Sequence, residues 1–210
     1  MKSQHTYISV MGTMGVGKST ATQLLADHFG YSHITENFSD NLFLPRFYKD
    51  MRRWAFHSQT FFLMEKITQM VEVKKRLHME DIVQDTPIFQ DAFSYAQAHH
   101  ILGNIDDAEW ELYTKIYRQF EPLFPKITLL VYLNAPIPTV MERIKSRGRG
   151  YEQEIPVSYV RLLDSLNKKL LTSYKRKAIT IQTKDLNIVS SKEAQERFVQ
   201  KVEAALQGKS

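Results

Sequence analysis

Gly12-Thr13-Met14-Gly15-Val16-Gly17-Lys18-Ser19 reads G-x-x-x-x-G-K-S and follows the apolar run Tyr7-Ile8-Ser9-Val10-Met11. Each residue type has a role in holding a triphosphate. The glycines let successive backbone N–H groups turn inward around phosphate oxygens, Lys18 sets a point charge on the β/γ-phosphates, and the Ser19 hydroxyl can ligate Mg²⁺ where the next helix begins. Thr20 continues the same turn, so Gly12 to Thr20 are expected to hold the phosphates of ATP. The flanks agree: a β-branched strand precedes the loop, and Ala21, Leu24, Leu25 and Phe29 recur at helical spacing until Gly30.

The chain has 210 residues, no cysteine, 43% hydrophobic residues and 24% charged ones. That length suits a single domain, 1–210, with a buried core. Without cysteine there is no disulfide framework, zinc–thiolate site or thiol nucleophile. No run has the apolar length of a membrane span, and Met1 to His5 is too polar for a secretory signal, so a cytoplasmic protein with no membrane partner is expected. The net charge of +5 comes from dispersed Lys and Arg. A small anionic ligand accounts for it better than a nucleic acid polymer.

Outward from the loop, strands and helices alternate. Ser32 to Thr35 reads as a second strand ending at Glu36, and Asp40 to Tyr48 as a loop with a short helix. Met51 to about His78 reads as a long helix in which Phe61, Met64, Ile67 and Val71 form a core-facing stripe. Asp81 to Asp85 is a third strand closed by Thr86-Pro87, and helices follow over about Ile88 to Leu102 and Asp106 to Phe120. Ile127 to Asn134 is continuously apolar, the mark of a strand covered on both faces. Helices at Pro136 to about Lys145 and Pro156 to about Lys175, a strand at Ala178 to Gln182 and a helix at Ser191 to Leu206 complete the chain. This order predicts a P-loop NTPase-like, doubly wound five-stranded parallel α/β sheet flanked by helices. Ligands of such sheets bind beyond the carboxyl ends of the strands, where Gly12, Glu36 and Asp85 fall.

Glu36 and Asp85 can hold Mg²⁺ there, directly or through water, and one of them can take a proton from an attacking hydroxyl. Taken singly, each carboxylate suits a turn cap equally well. Arg143 and Arg147 share a helix face, and Arg149 lies between glycines. Arginines on a closing flap, at about 143–155, suit phosphoryl transfer, since charge builds on the γ-phosphoryl oxygens as the group leaves. On the long helix, Gln59, Phe62 and Lys66 put an amide, an aromatic wall and a cation on one face. The histidines show no metal-ligand spacing, the Asn37-Phe38-Ser39 sequon lacks a secretory context, and Phe61-Phe62 suits core and pocket wall.

Together these segments resemble the deoxyribonucleoside kinase family, in particular its bacterial deoxyadenosine and deoxyguanosine kinase branch, over nearly the whole chain. The likeness rests on Gly12 to Ser19; Glu36 with Asp40-Asn41-Leu42-Phe43-Leu44; Arg46-Phe47-Tyr48; Trp54 to Gln59 leading to Phe61-Phe62-Leu63; Asp85 with Asp91; and Arg143-Ile144-Lys145-Ser146-Arg147-Gly148-Arg149-Gly150-Tyr151-Glu152. The resemblance implies Glu36 as general base toward a 5′-hydroxyl, Gln59 and Asp91 on the nucleobase, and Tyr48 and Glu152 on the deoxyribose 3′-hydroxyl. Trp54, Phe62 and Lys66 join them in the acceptor pocket, with Arg143, Arg147 and Arg149 as the catalytic lid. Ser19, Glu36 and Asp85 are the implied Mg²⁺ residues. A dimer is implied through the helices near Met51 to His78 and Ile88 to Leu102, as a homodimer or with a paralogous subunit. One departure stands out: where the family commonly has an acidic-Arg-Ser triplet, this chain has Asp85-Thr86-Pro87.

The expected activity is therefore transfer of the γ-phosphoryl of ATP to the 5′-hydroxyl of a deoxynucleoside, a purine by preference, in nucleotide salvage. Two other readings share the loop: a nucleoside monophosphate kinase of the thymidylate kinase kind, and a non-catalytic nucleotide-binding regulatory subunit. The first needs cations for an acceptor phosphate, which the missing arginine disfavours.

Overall fold

The computed structural model describes residues 5–35, 41–148, 155–184 and 186–208. Glu36, Arg149 and Glu152 lie outside the described residues, as does the stretch 149–154 of the expected lid. Five parallel strands, β1 (Tyr7–Gly12), β2 (Ser32–Ile34), β3 (Ile82–Asp85), β4 (Leu129–Asn134) and β5 (Ala178–Gln182), form one sheet in the order β2-β3-β1-β4-β5. Central β1 pairs with β3 at Val10↔Asp85 and with β4 at Gly12↔Leu133. The carboxyl ends of β1 and β3 are thereby neighbours, which puts Asp85 beside the phosphate loop.

Alternation along the strands builds a core on each face. Ile8 and Val10 of β1 pack with Leu129, Val131 and Leu133 of β4 against α1 (Lys18–Phe29), α7 (Ile137–Arg147) and α9 (Lys192–Leu206). Tyr7 and Ile82 face the other way, onto α3 (Met51–Arg76) and α6 (Asp107–Phe120), while Met11, Leu130 and Tyr132 meet α8 (Val157–Ser173). The unbroken apolar run of β4 is thus accounted for by helices on both sides. Between these lie α2 (Leu44–Lys49) and a compound helix made of α4 (Ile88–Gln90), a π-helical turn (Asp91–Ala96) and α5 (Gln97–Ile101). Capping explains two boundaries: α1 stops at left-handed Gly30, and a capping box joins Asp106 and Glu109 at the start of α6.

The expected stripe on α3 is corrected. Met64 is 46% and Val71 37% exposed, whereas the buried face carries Ala55, Ser58, Gln59, Leu63, Lys66, Ile67, Met70 and Val73. Three polar residues on that face break the apolar period: Ser58 accepts from the Asn41 amide, Lys66 donates to the carbonyls of Asp85 and Thr86, and Gln59 lines a cleft.

Candidate functional site

A cleft of about 860 Å³ opens at the carboxyl edge of the sheet, running from the loop residues Met14 to Thr20 to a pocket between α2, α3 and the compound helix. Local geometry calls for glycine at two places in the loop. Gly12 has φ 155°, and a Cβ there would meet Leu133 O at 2.6 Å and Val16 Cγ1 at 2.8 Å. Gly17, at φ 107°, sits in the left-handed region and starts α1, whose N-terminus has no side-chain cap. Its first N–H groups therefore face the cleft, ready for an anion. Lys18 lines the cleft, and the Ser19 hydroxyl donates to Asp85 Oδ2 at 2.6 Å while Thr86 Oγ1 donates to Asp85 Oδ1 at 3.0 Å. A hydroxyl and a buried carboxylate converging beside a lysine form a hard-oxygen donor set, which fits Mg²⁺.

At the far end, Gln59 and Phe62 from α3, which share a helix face by spacing, line one pocket with Tyr48 from α2 and Asp91 from the π-helical turn, which the family resemblance had named. Phe47, Tyr95, His99 and Tyr159 complete its wall. Tyr95 and His99 lie four and eight residues beyond Asp91, one helix face, and that spacing was the signal by which they could have been found. His99 is buried; its ring meets Tyr159 Oη through Nε2 at 3.3 Å and Asn104 Nδ2 through Nδ1 at 3.2 Å. Burial pushes its pKa down to about 4, so the imidazole is neutral at pH 7. With Nδ1 accepting from the Asn104 amide, the proton resides on Nε2 and is donated to Tyr159.

Three residues are placed differently from expectation. Trp54 stands outside the cleft lining, stacked on Phe43 with the Arg46 and Arg53 guanidinium groups over its ring. Lys66 lies behind the pocket wall rather than in it. It is 4% exposed, donates to the carbonyl oxygens of Asp85 at 3.0 Å and Thr86 at 2.8 Å, and sits 3.8 Å from Asp91 Oδ2. Arg143 borders the cleft, but its guanidinium donates to Val16 O (3.1 Å), Thr183 Oγ1 (2.9 Å) and Thr183 O (2.7 Å). It staples the phosphate loop to the segment after β5. Arg147 lines the cleft. Thr183, Lys184 and Leu186 to Val189 also line its donor end; no motif announced them, although a segment leaving a strand's carboxyl end is where such sheets place ligand contacts.

A loop built for a triphosphate and a separate lined pocket opening onto one cleft bring a donor and an acceptor face to face, the arrangement of a P-loop phosphotransferase. Comparison with known proteins narrows the class. The deoxynucleoside kinase family matches residues 8–207, so the chain belongs to that family and is a deoxynucleoside kinase. It is similar to the deoxyadenosine/deoxycytidine kinase of Bacillus subtilis, 27% identical over 213 residues that cover 98% of this chain and 97% of that one. The deoxyguanosine kinase of Lactobacillus acidophilus is 33% identical over 175 residues, covering 81% of this chain and 74% of its own. The fold is similar to that of deoxyadenosine kinase from M. mycoides solved with dCMP and a flexible dCDP bound, with a TM-score of 0.81 and 24% identity over 94% of this chain and 99% of that one.

Proposed function

We propose that the chain transfers the γ-phosphoryl of ATP to the 5′-hydroxyl of a deoxynucleoside, preferring a purine. The observation that carries this reading is the continuous cleft from Lys18, Ser19 and Asp85 to Gln59 and Asp91. When bound, Mg²⁺ supplies charge neutralisation at the β/γ-phosphates, with Ser19 and Asp85 as the residues that hold it. Loop N–H groups and Lys18 orient the triphosphate. Gln59 and Asp91 read the base edge, Phe62 and Tyr95 flank its plane, and Tyr48 with Glu152 hold the sugar. Glu36 takes the proton of the 5′-hydroxyl as its oxygen bonds to the γ-phosphorus and the bond to the β–γ bridging oxygen breaks, releasing ADP. Arg147 and Arg149 spread the charge that develops on the transferred group. The purine preference is supported by the similarity to a protein named deoxyguanosine kinase and to one named deoxyadenosine/deoxycytidine kinase, since a purine is common to both names.

Incubating the purified protein with Mg·ATP and each deoxynucleoside is the direct test, with the 5′-monophosphate of deoxyadenosine or deoxyguanosine as the main product. Nucleotide binding with no monophosphate from any of them would reverse the reading in favour of a regulatory subunit. Glu36→Gln should lower kcat by on the order of 10² to 10⁴ with nucleoside binding retained, the signature of a lost general base. A cytoplasmic dimer, with itself or a paralogous subunit, is part of the proposal. It is supported by exposed Met64 and Val71 on α3 and Ile101 on α5, and sedimentation would reveal a monomer if it is wrong.

A further inference from the structure

The ladder between β1 and β3 ends one step short of the phosphate loop. Thr86 N–H still donates to Val10 O at 3.0 Å, but Thr86 then adopts φ 56° and the chain leaves the sheet. In a parallel strand, residues two apart turn their N–H and C=O to the same side. Gly12 therefore faces the side that β3 has vacated, and both of its polar groups are met there by one side chain. The Gly12 N–H donates to Gln90 Oε1 at 3.2 Å, and Gln90 Nε2 donates to Gly12 O at 2.7 Å. A primary amide carries the same donor and acceptor as a peptide unit, so Gln90 supplies a missing strand rung. It is fully buried.

We infer that Gln90 is a positioning residue for the donor: it fixes the point at which the phosphate loop leaves the sheet and so aims the N–H groups that follow. This inference rests on the proposed reading of that loop as the ATP site. Gly12 is the loop's first residue and is already pressed between Leu133 O and Val16, leaving it little latitude. With Gln90 gone, its N–H and C=O lack partners in a buried setting and the loop origin relaxes. Gln90 also directly precedes Asp91. Adjacent residues on a helix point about 100° apart, so one short turn grips the donor loop with one side chain and presents the next to the acceptor pocket.

Gln90→Met keeps the volume and removes both hydrogen bonds, whereas Gln90→Glu keeps an oxygen for the Gly12 N–H and loses the donor to Gly12 C=O. Calorimetric binding of Mg·ADP and the KM values for ATP and deoxynucleoside are the readouts, with thermal melting recorded beside them. For Gln90→Met, the Mg·ADP Kd and the KM for ATP should rise on the order of tenfold, equivalent to ~1.4 kcal/mol, while the nucleoside KM stays within about twofold. Gln90→Glu sets a buried carboxylate oxygen against the Gly12 C=O, so it should weaken Mg·ADP at least as much as Gln90→Met, and it decides the matter by the same criterion if Gln90→Met does not fold. Mg·ADP affinity unchanged in the folded variants, or donor and acceptor weakened equally, overturns the assignment. A wild-type protein that binds no Mg·ADP refutes the donor reading itself.

Discussion

Replacing Lys66 with methionine removes a buried ammonium while nearly preserving side-chain volume. The Lys66 Nζ donates to Asp85 O and Thr86 O and lies 3.8 Å from Asp91 Oδ2, with its side chain 5% exposed. It holds the turn in which Thr86, a β-branched residue, adopts a left-handed conformation at φ 56°. A hydrogen bond from a charged donor contributes roughly 1.5–3 kcal/mol, and removing one member of a buried charge pair costs roughly 3–5 kcal/mol. These terms share one nitrogen and overlap, and the desolvation of the ammonium is recovered, so the net loss should be about 3–5 kcal/mol rather than their sum. For a domain of this length that lowers Tm by roughly 10–15 °C, measurable by scanning calorimetry. The KM for the deoxynucleoside should rise as well, because the same turn carries Asp85 at one end and leads to Asp91 at the other. A fall in Tm below about 3 °C with unchanged nucleoside KM would refute the reasoning.

Three further outcomes are expected. His99 has a folded pKa of about 4 against 6.5 as its ordinary value, so the unfolded chain binds the proton more readily; its contribution is fully present above about pH 6.5 and is lost as pH falls toward 4, by about 3 kcal/mol. Urea titrations of wild type and His99→Leu over that range should converge as the pH drops, and parallel curves would show that His99 does not titrate in this way. Arg143→Ala breaks the staple between Val16 and Thr183 and should raise the KM for ATP on the order of tenfold, with a smaller effect on the nucleoside KM. An effect on kcat alone would instead place Arg143 on the transferred phosphoryl group. Asp85→Asn keeps the shape beside Ser19 and removes the charge, so the Mg²⁺ concentration for half-maximal rate should rise by on the order of tenfold or more. An unaltered Mg²⁺ profile would remove Asp85 from the metal site.

Much of this site was legible because its signals are local. Gly12 to Ser19 specify a turn that few other residue types could make, and Gln59 with Phe62 fall on one helix face by spacing alone. Lys66 shows where such reasoning stops. Its spacing put it on the same face as Gln59, but a lysine has the reach to leave that face, and the acceptors it found are the carbonyls of Asp85 and Thr86, where β3 ends and the chain turns out of the sheet. Arg143 likewise read as a free lid cation, although its partners, Val16 and Thr183, lie 127 and 40 residues away.

By itself the sequence determined the alternation of strands and helices, the phosphate loop and the family, because period, glycine placement and short motifs act over a turn or a strand. Only the tertiary structure decided the strand order that sets Val10 opposite Asp85, and with it the pairing of Ser19 with Asp85, the buried face of α3 and the grip of Gln90 on Gly12. The physical reason is that a buried polar group must be satisfied by whatever folding brings within about 3 Å, and sequence distance carries no information about that neighbour.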